Sequence, residues 1–308
     1  MFKNITIFRL NNALDLSLED CSESISRARF VPCGPAQEKS SGWLEPRGHA
    51  HGAMVESVAG QWIFKFKTES KSVPSSVVKR KLDEQVRKIE QDSGRKPGKK
   101  EKRDLQDSIR QTLLPQAFTK ETTVWIWLDP ENRYVVLGSV NQSKVDEILT
   151  SLSDVLPGFT CMALETTTAP ATAMAAWLQA QESPNYFSID NECELKATDE
   201  SKAVVRYARH SLMSDEVAQH IEQGKRPTRL ALTWRDRVSL LLTDTLQLKK
   251  ITLTDVVFEN QATTAAGDDN FDTDIALLTG ELQQLIPDLL EILDGELRRE
   301  GLAVAVAA

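Results

Sequence analysis

SSVVKRKLDEQVRKIEQDSGRKPGKKEKRDLQDSIR, residues 75–110, is a basic run inside a 308-residue chain of formal net charge −8. Residues 71–120 hold fourteen Lys or Arg against seven Asp or Glu, so everything outside them is more acidic still. Val78, Leu82, Val86 and Ile89 fall at i, i+4, i+8 and i+11, one narrow apolar stripe on a helix, while Lys79, Arg80, Lys81, Arg87 and Lys88 crowd the remaining surface. Gly94 and Pro97-Gly98 break that helix, and a second begins near Lys100 with Leu105, Ile109 and Leu113 along one side. Pro115 ends it. The spacing predicts a helical hairpin over 74–114 whose arms are each roughly 20 Å long at 1.5 Å per residue. The cations Arg95, Lys96, Lys99, Lys100, Lys102 and Arg103 lie at or near its tip.

Sheet-forming segments flank the hairpin. Residues 5–10, 61–68, 123–129 and 133–139 are short and rich in β-branched or aromatic residues, and Asp129-Pro130-Glu131-Asn132 supplies a hairpin turn. Helices fit 17–28, 142–153 and 170–180, the last opening on Pro170. A second sheet is expected from 192–197, 203–209, 229–234, 237–244 and 248–255, interrupted by a helix at 214–223 that Ser214 could cap. A final helix is expected over 275–299, kinked or divided at Pro287 and packed on the second sheet or on a partner. Without strict βαβ alternation, the pattern is α+β: antiparallel sheets with packed helices, a projecting hairpin arm and a second sheet-plus-helix domain. The expected division is 1–73 with 115–182, then 74–114, then 183–308.

A thin apolar stripe buries little, so a wholly solvated hairpin is the plain structural reading of 74–114. Its confined positive charge points instead to an extended polyanion, and phosphate backbones are bound by Lys and Arg without reading sequence. Residues 202–250 add ten basic against five acidic side chains, among them Arg206, Arg209, Lys225, Arg226 and Arg229. Residues 251–308 then carry two basic against twelve acidic ones, which suggests one face for nucleic acid and another kept away from it.

Other chemistries find less support. The sequence has no G-x-x-x-x-G-K-[ST], G-x-G-x-x-G or G-x-S-x-G pattern, which argues against ATP-driven and serine-hydrolase chemistry. His49 and His51, or Asp268, Asp269, Asp272 and Asp274, could hold a metal as in a two-metal nuclease, but acids in a Gly/Asn-containing loop more often face solvent. The expectation is no metal, no cofactor and no catalytic residue. Trp62, Trp125 and Trp127 could stack bases, although their strand positions suit a core. Cys21, Cys33, Cys161 and Cys193 form neither a C-x-x-C pair nor a disulfide framework. No apolar run reaches membrane-spanning length and the start lacks a signal-peptide core, so a reducing cytoplasm is expected.

Six segments, FKNITIFRL (2–10), GWLEPRG (42–48), VPSSVVK (73–79), LLPQAF (113–118), HIEQGKRPTRLALTW (220–234) and FDTDIALLTGELQQLI (271–286), together resemble the recombination-associated protein RdgC family, end to end and in order. The resemblance implies a nucleoid-associated, non-enzymatic protein that binds double-stranded DNA, with single-stranded DNA as a second form. It further implies a ring-shaped homodimer around the duplex that restrains the RecA recombinase, built from a central domain, a helical tip and a base domain. It places Phe118 at the contact, or gate, between tips, with Arg209 and His210 as further candidates; a core position is the competing reading of Phe118. The other function class is a protein-interaction scaffold whose basic arm docks an acidic partner.

Overall fold

The computed structural model describes residues 1–259 and 270–297. Strands β1 (Thr6–Leu10), β2 (Lys39–Leu44), β3 (Glu56–Val58), β4 (Gln61–Lys71), β5 (Thr119–Asp129), β6 (Tyr134–Leu137) and β7 (Cys161–Ala163) form one antiparallel sheet in the order β2-β4-β5-β6-β1-β7, with β3 also on β4. Strands β8 (Phe187–Ala197), β9 (Val204–Ala208), β10 (Lys225–Trp234), β11 (Val238–Thr243) and β12 (Leu248–Leu253) form the second, in the order β12-β11-β10-β8-β9. The helices are α1 (Leu18–Ser26), α2 (Ser75–Ser93), α3 (Lys99–Leu113), α4 (Gln142–Val155), α5 (Pro170–Ala180), α6 (Asp215–Glu222), α7 (Asp255–Glu259) and α8 (Asn270–Glu291). This is the expected α+β class.

The central strands of the first sheet are apolar at nearly every position, the signature of a sheet covered on both sides. Phe8, Leu10, Phe64, Phe66, Ile126, Leu128, Val135 and Leu137 pack with Cys21 and Ile25 of α1 and with Val145, Ile148 and Leu152 of α4. Ile7, Ile63, Trp127, Tyr134 and Val136 turn the other way. They join Leu230, Leu232, Trp234, Leu240 and Leu242 of the second sheet, Met174 and Leu178 of α5, and Leu282, Leu285, Ile286 and Leu289 of α8. One core therefore serves both sheets. Backbone bonds join them as well, from Ile5 N to Leu248 O at 2.8 Å and from Ile251 N to Lys3 O at 2.9 Å.

Helix α8 corrects the expectation for the C-terminal helix. Among the described residues it spans Asn270–Glu291, running through Pro287 as one undivided helix, with 298 and 299 outside the described residues. A proline removes one helical hydrogen bond, but the fully buried Leu285, Ile286 and Leu289 around it hold both halves in the core. Leu285→Ala should lower unfolding free energy by about 2–5 kcal/mol through the cavity it leaves. A urea melt that shows no shift in midpoint would contradict the position of this helix.

Several elements escaped the sequence reading for identifiable reasons. β2 (KSSGWL) lacks a clean alternation, and its Gly42 is dictated from elsewhere: a Cβ there would lie 2.6 Å from the Phe30 backbone. β3 and β7 are three residues long, and α7 only five. Ser214 does stand at the start of α6, but its hydroxyl forms no cap bond and, among the described residues, has no hydrogen-bond partner. Asp215 and Glu216 in the first turn supply the favourable charge instead. α5 starts on Pro170 as expected.

Candidate nucleic-acid interface

Helices α2 and α3 form the hairpin read from residues 75–110. Their 19 and 15 residues correspond to about 28 and 22 Å, longer than the roughly 20 Å expected of each. Gly94 ends α2 in the left-handed conformation at φ 67°, donating its N–H to Glu90 O at 2.9 Å, and Pro97 and Gly98 carry the chain into α3. Val78, Ile109 and Leu114 are buried, whereas Leu82, Val86, Ile89 and Leu105 are only half-buried. The apolar stripe is therefore a real seam, anchored at the base of the hairpin.

The positive charge of the hairpin is open to solvent. Lys79, Arg80, Lys81, Arg87, Lys88, Lys99, Lys100, Lys102 and Arg103 are exposed, and none forms an ion pair among the described residues. Arg95 pairs with Glu101 at 2.8 Å and Lys96 with Glu90 at 3.3 Å, so these two cations at the turn are partly neutralised. The Arg95 hydrogen bond holds the Glu101 carboxyl below its ordinary range.

The second basic group is mixed. Arg206 on β9 and Arg229 on β10 straddle Glu194 of β8, at 2.7 and 3.7 Å. Burial pushes the Glu194 pKa up, but hydrogen bonds from Arg206 and Thr228 and the charge of Arg229 outweigh it and hold that carboxyl low. Lys225 is half-buried with its Nζ 3.1 Å from His220 Nδ1. Arg226 and Arg209 are exposed. Lys196, which the sequence reading missed, is the register partner of Arg226 and an addition to this group. Strand alternation in Glu194-Leu195-Lys196 was the available signal. The sheet here is curved enough for Lys250 on β12 to reach Glu192 on β8 at 2.6 Å, over a cleft of about 650 Å³ that Asp190, Arg209, Ala231 and Leu241 help to line.

The acidic C-terminal segment has a structural use. Glu281 pairs with Arg237 at 2.5 Å, Asp288 with Arg235 at 2.8 Å, Asp272 with Arg47 at 2.6 Å and Glu296 with Arg9 at 2.5 Å. Charge segregation along the chain thus docks α8 and the segment after it onto the sheets. Arg235 and Arg237 are consumed by that docking.

Phe118 is 95% exposed, which overturns the core reading of this residue. It stands between the 3-10 turn at Leu114–Gln116 and β5, next to the Lys71–Thr119 register pair. Arg209 and His210 leave β9, the edge strand of the other sheet, so the three gate candidates lie on different sheets. His210 turns its Nδ1 to Ser211 O at 2.8 Å and packs its ring 5.5 Å from that of Tyr207. Trp127 is fully buried and donates its indole N–H to Gln61 at 2.7 Å, while Trp62 and Trp125 are half-buried.

His49 and His51 are exposed, Asp272 is held by Arg47, and Asp268 and Asp269 lie outside the described residues. Among the described residues no group of three or more His, Cys, Asp or Glu is arranged to hold a metal ion. The cysteines are unpaired, and burial pushes the Cys21, Cys161 and Cys193 thiols up to about 12. No helix among the described residues is long and apolar enough to cross a membrane.

An α+β body with two antiparallel sheets on a common core and an exposed basic helical arm defines the structural class. The chain belongs to the RdgC family, whose model, described as "Putative exonuclease, RdgC", matches residues 1–296. It is 38% identical over 299 residues to the "Recombination-associated protein RdgC" of Dechloromonas aromatica, covering 96% of this chain and 98% of that protein. It is 37% identical over 300 residues to the protein of the same description from a Janthinobacterium species, covering 97% and 99%.

Proposed function

We propose that this protein binds duplex DNA without reading its sequence, as a ring-shaped homodimer closed around the double helix. In the same proposal it occupies the nucleoid and restrains RecA-dependent recombination. The observation that carries the DNA reading is the set of ten exposed cations on α2 and α3, the nine named above and Arg110, that form no ion pair among the described residues. A chain of net charge −8 that leaves so many cations unneutralised on one thin projection has a surface suited to an extended polyanion such as a phosphate backbone. The exposed Phe118 at the base of that projection supports a contact between subunits, since exposed aromatics are favoured anchors of interfaces. In this reading residues 74–114 are the tip, 1–73 with 115–182 the central domain, and 183–308 the base.

The proposal is binding without cleavage, although the family description names an exonuclease. A salt titration on random-sequence duplexes tests it. Affinity should fall steeply and linearly in log–log form, with equal slopes for unrelated sequences. End-labelled duplex incubated with the protein and Mg²⁺ or Mn²⁺ should stay full length, and progressive shortening would overturn the non-cleaving part. Salt-independent binding, or binding that ignores DNA and follows an acidic protein, would move the arm to the scaffold reading.

A further inference from the structure

The arm is joined to the rest of the molecule in an unusual way. Among the described residues no hydrogen bond, ion pair or ring contact ties residues 75–113 to either sheet; every such bond the arm makes is internal or part of its own helix ends. Val78, Ile109 and Leu114 are buried but belong to neither of the two large core clusters. The arm therefore has a small core of its own. Below it, the β4–β5 ladder runs on past Phe66 and Val124, the last of its residues in the main core, through the register pairs Lys67–Thr123 to Lys71–Thr119. Beyond Lys71 and before Thr119 no ladder pair continues.

The two crossings differ, since the second holds the short 3-10 turn Leu114–Gln116, closed by the Ala117 N–H on Leu114 O at 3.1 Å. One passes through Ser72, Val73 and Pro74, the other through Pro115, Gln116, Ala117 and Phe118, and Pro74, Pro115, Gln116 and Phe118 are all exposed. Proline has no N–H to extend a ladder or helix across the junction. Among the described residues no directional bond therefore sets the angle between arm and ladder, whereas a hydrogen-bond ladder would fix it through its distance and angle demands.

We propose that the arm is a rigid body that pivots on the β4–β5 ladder about two joints, 72–74 and 115–118, and that duplex DNA fixes its angle. The second half rests on the DNA-binding reading above; the first does not. A pivoting cationic arm can open to admit a duplex and then settle on its backbone, at an entropic cost that a fixed arm would not incur.

The test uses spin labels on the full chain at Ser93→Cys, on the arm, and Asp154→Cys, on α4. Cys33→Ser and Cys161→Ser remove the half-buried native thiols, and unlabelled protein dilutes out distances between subunits. Ser76→Cys with Ser93→Cys, both on α2, is the rigid control. Without DNA the 93–154 distance distribution should be much broader than the control, and saturating random-sequence duplex should narrow it to the control's width. A distribution as narrow as the control before DNA is added overturns the pivot. A broad distribution that stays broad on demonstrably bound DNA overturns the fixing of its angle. Failure to bind duplex at all sinks the DNA reading, and the DNA-free distribution still decides the pivot.

Discussion

Gln in place of Lys79, Lys81, Arg87, Lys88, Lys99, Lys100, Lys102 and Arg103 should flatten the salt dependence of duplex binding and leave the protein folded. All eight side chains are exposed and without an acidic partner among the described residues, so their loss breaks no ion pair. Gln is close to Lys and Arg in helix propensity, and isolated surface changes generally stay within about 0.5 kcal/mol each. Each phosphate contact removed lowers the slope of log affinity against log salt by about 0.9, so four contacts amount to about 3.6. Affinity should fall evenly across unrelated sequences. Circular dichroism should show the helices intact, because Val78, Ile109 and Leu114 are untouched. If the folded variant keeps both its affinity and its slope, the arm has no role on DNA, and Lys196, Arg206, Arg209, Arg226 and Arg229 become the candidates.

Phe118→Asp should yield a protein that elutes from covalently closed circular DNA as readily as from short linear duplex. The ring at 95% exposure contributes almost nothing to the subunit's own stability, so the melting curve should not move. Across a two-fold contact the same patch meets itself, so the substitution removes an aromatic anchor from each side and brings two carboxylates toward one another. Aromatic hot spots cost at least about 2 kcal/mol when truncated, or roughly thirty-fold in affinity. The parent protein should scatter light as a dimer at micromolar concentration and resist washes on circles that strip it from linear ends. Equal retention of the parent on both forms would end the encirclement proposal. Retention of the variant on circles equal to the parent's would remove Phe118 from the gate.

The arm was the most legible part of the molecule. Its helices, its break at Gly94 and Pro97-Gly98 and its stripe of Val78, Leu82, Val86 and Ile89 are local features, set by side-chain period and by glycine and proline within a few residues. Central strands such as QWIFKFKT and TVWIWLD were legible for a related reason, since apolar density in a short β-branched or aromatic run is itself a burial signal. β2 was not, because Gly42 answers to Phe30 twelve residues away. Neither was the use of the C-terminal acids. Their number could be counted along the chain, but Glu281 and Asp288 meet Arg237 and Arg235 only once α8 lies on the core.

By itself, then, the sequence determined the α+β class, the charge distribution and the existence of a basic hairpin, since each depends on composition or on neighbours in the chain. Tertiary structure decided which charges are free. Arg80 and Arg237 are alike as residues, yet one remains exposed on a thin helix and the other is held at 2.5 Å by Glu281. It also decided that Phe118 faces solvent while Trp127 is buried, because exposure depends on what other elements cover a position. The same holds for the core common to the two sheets: it forms where Ile5 meets Leu248, a pairing across more than two hundred residues that no local pattern encodes.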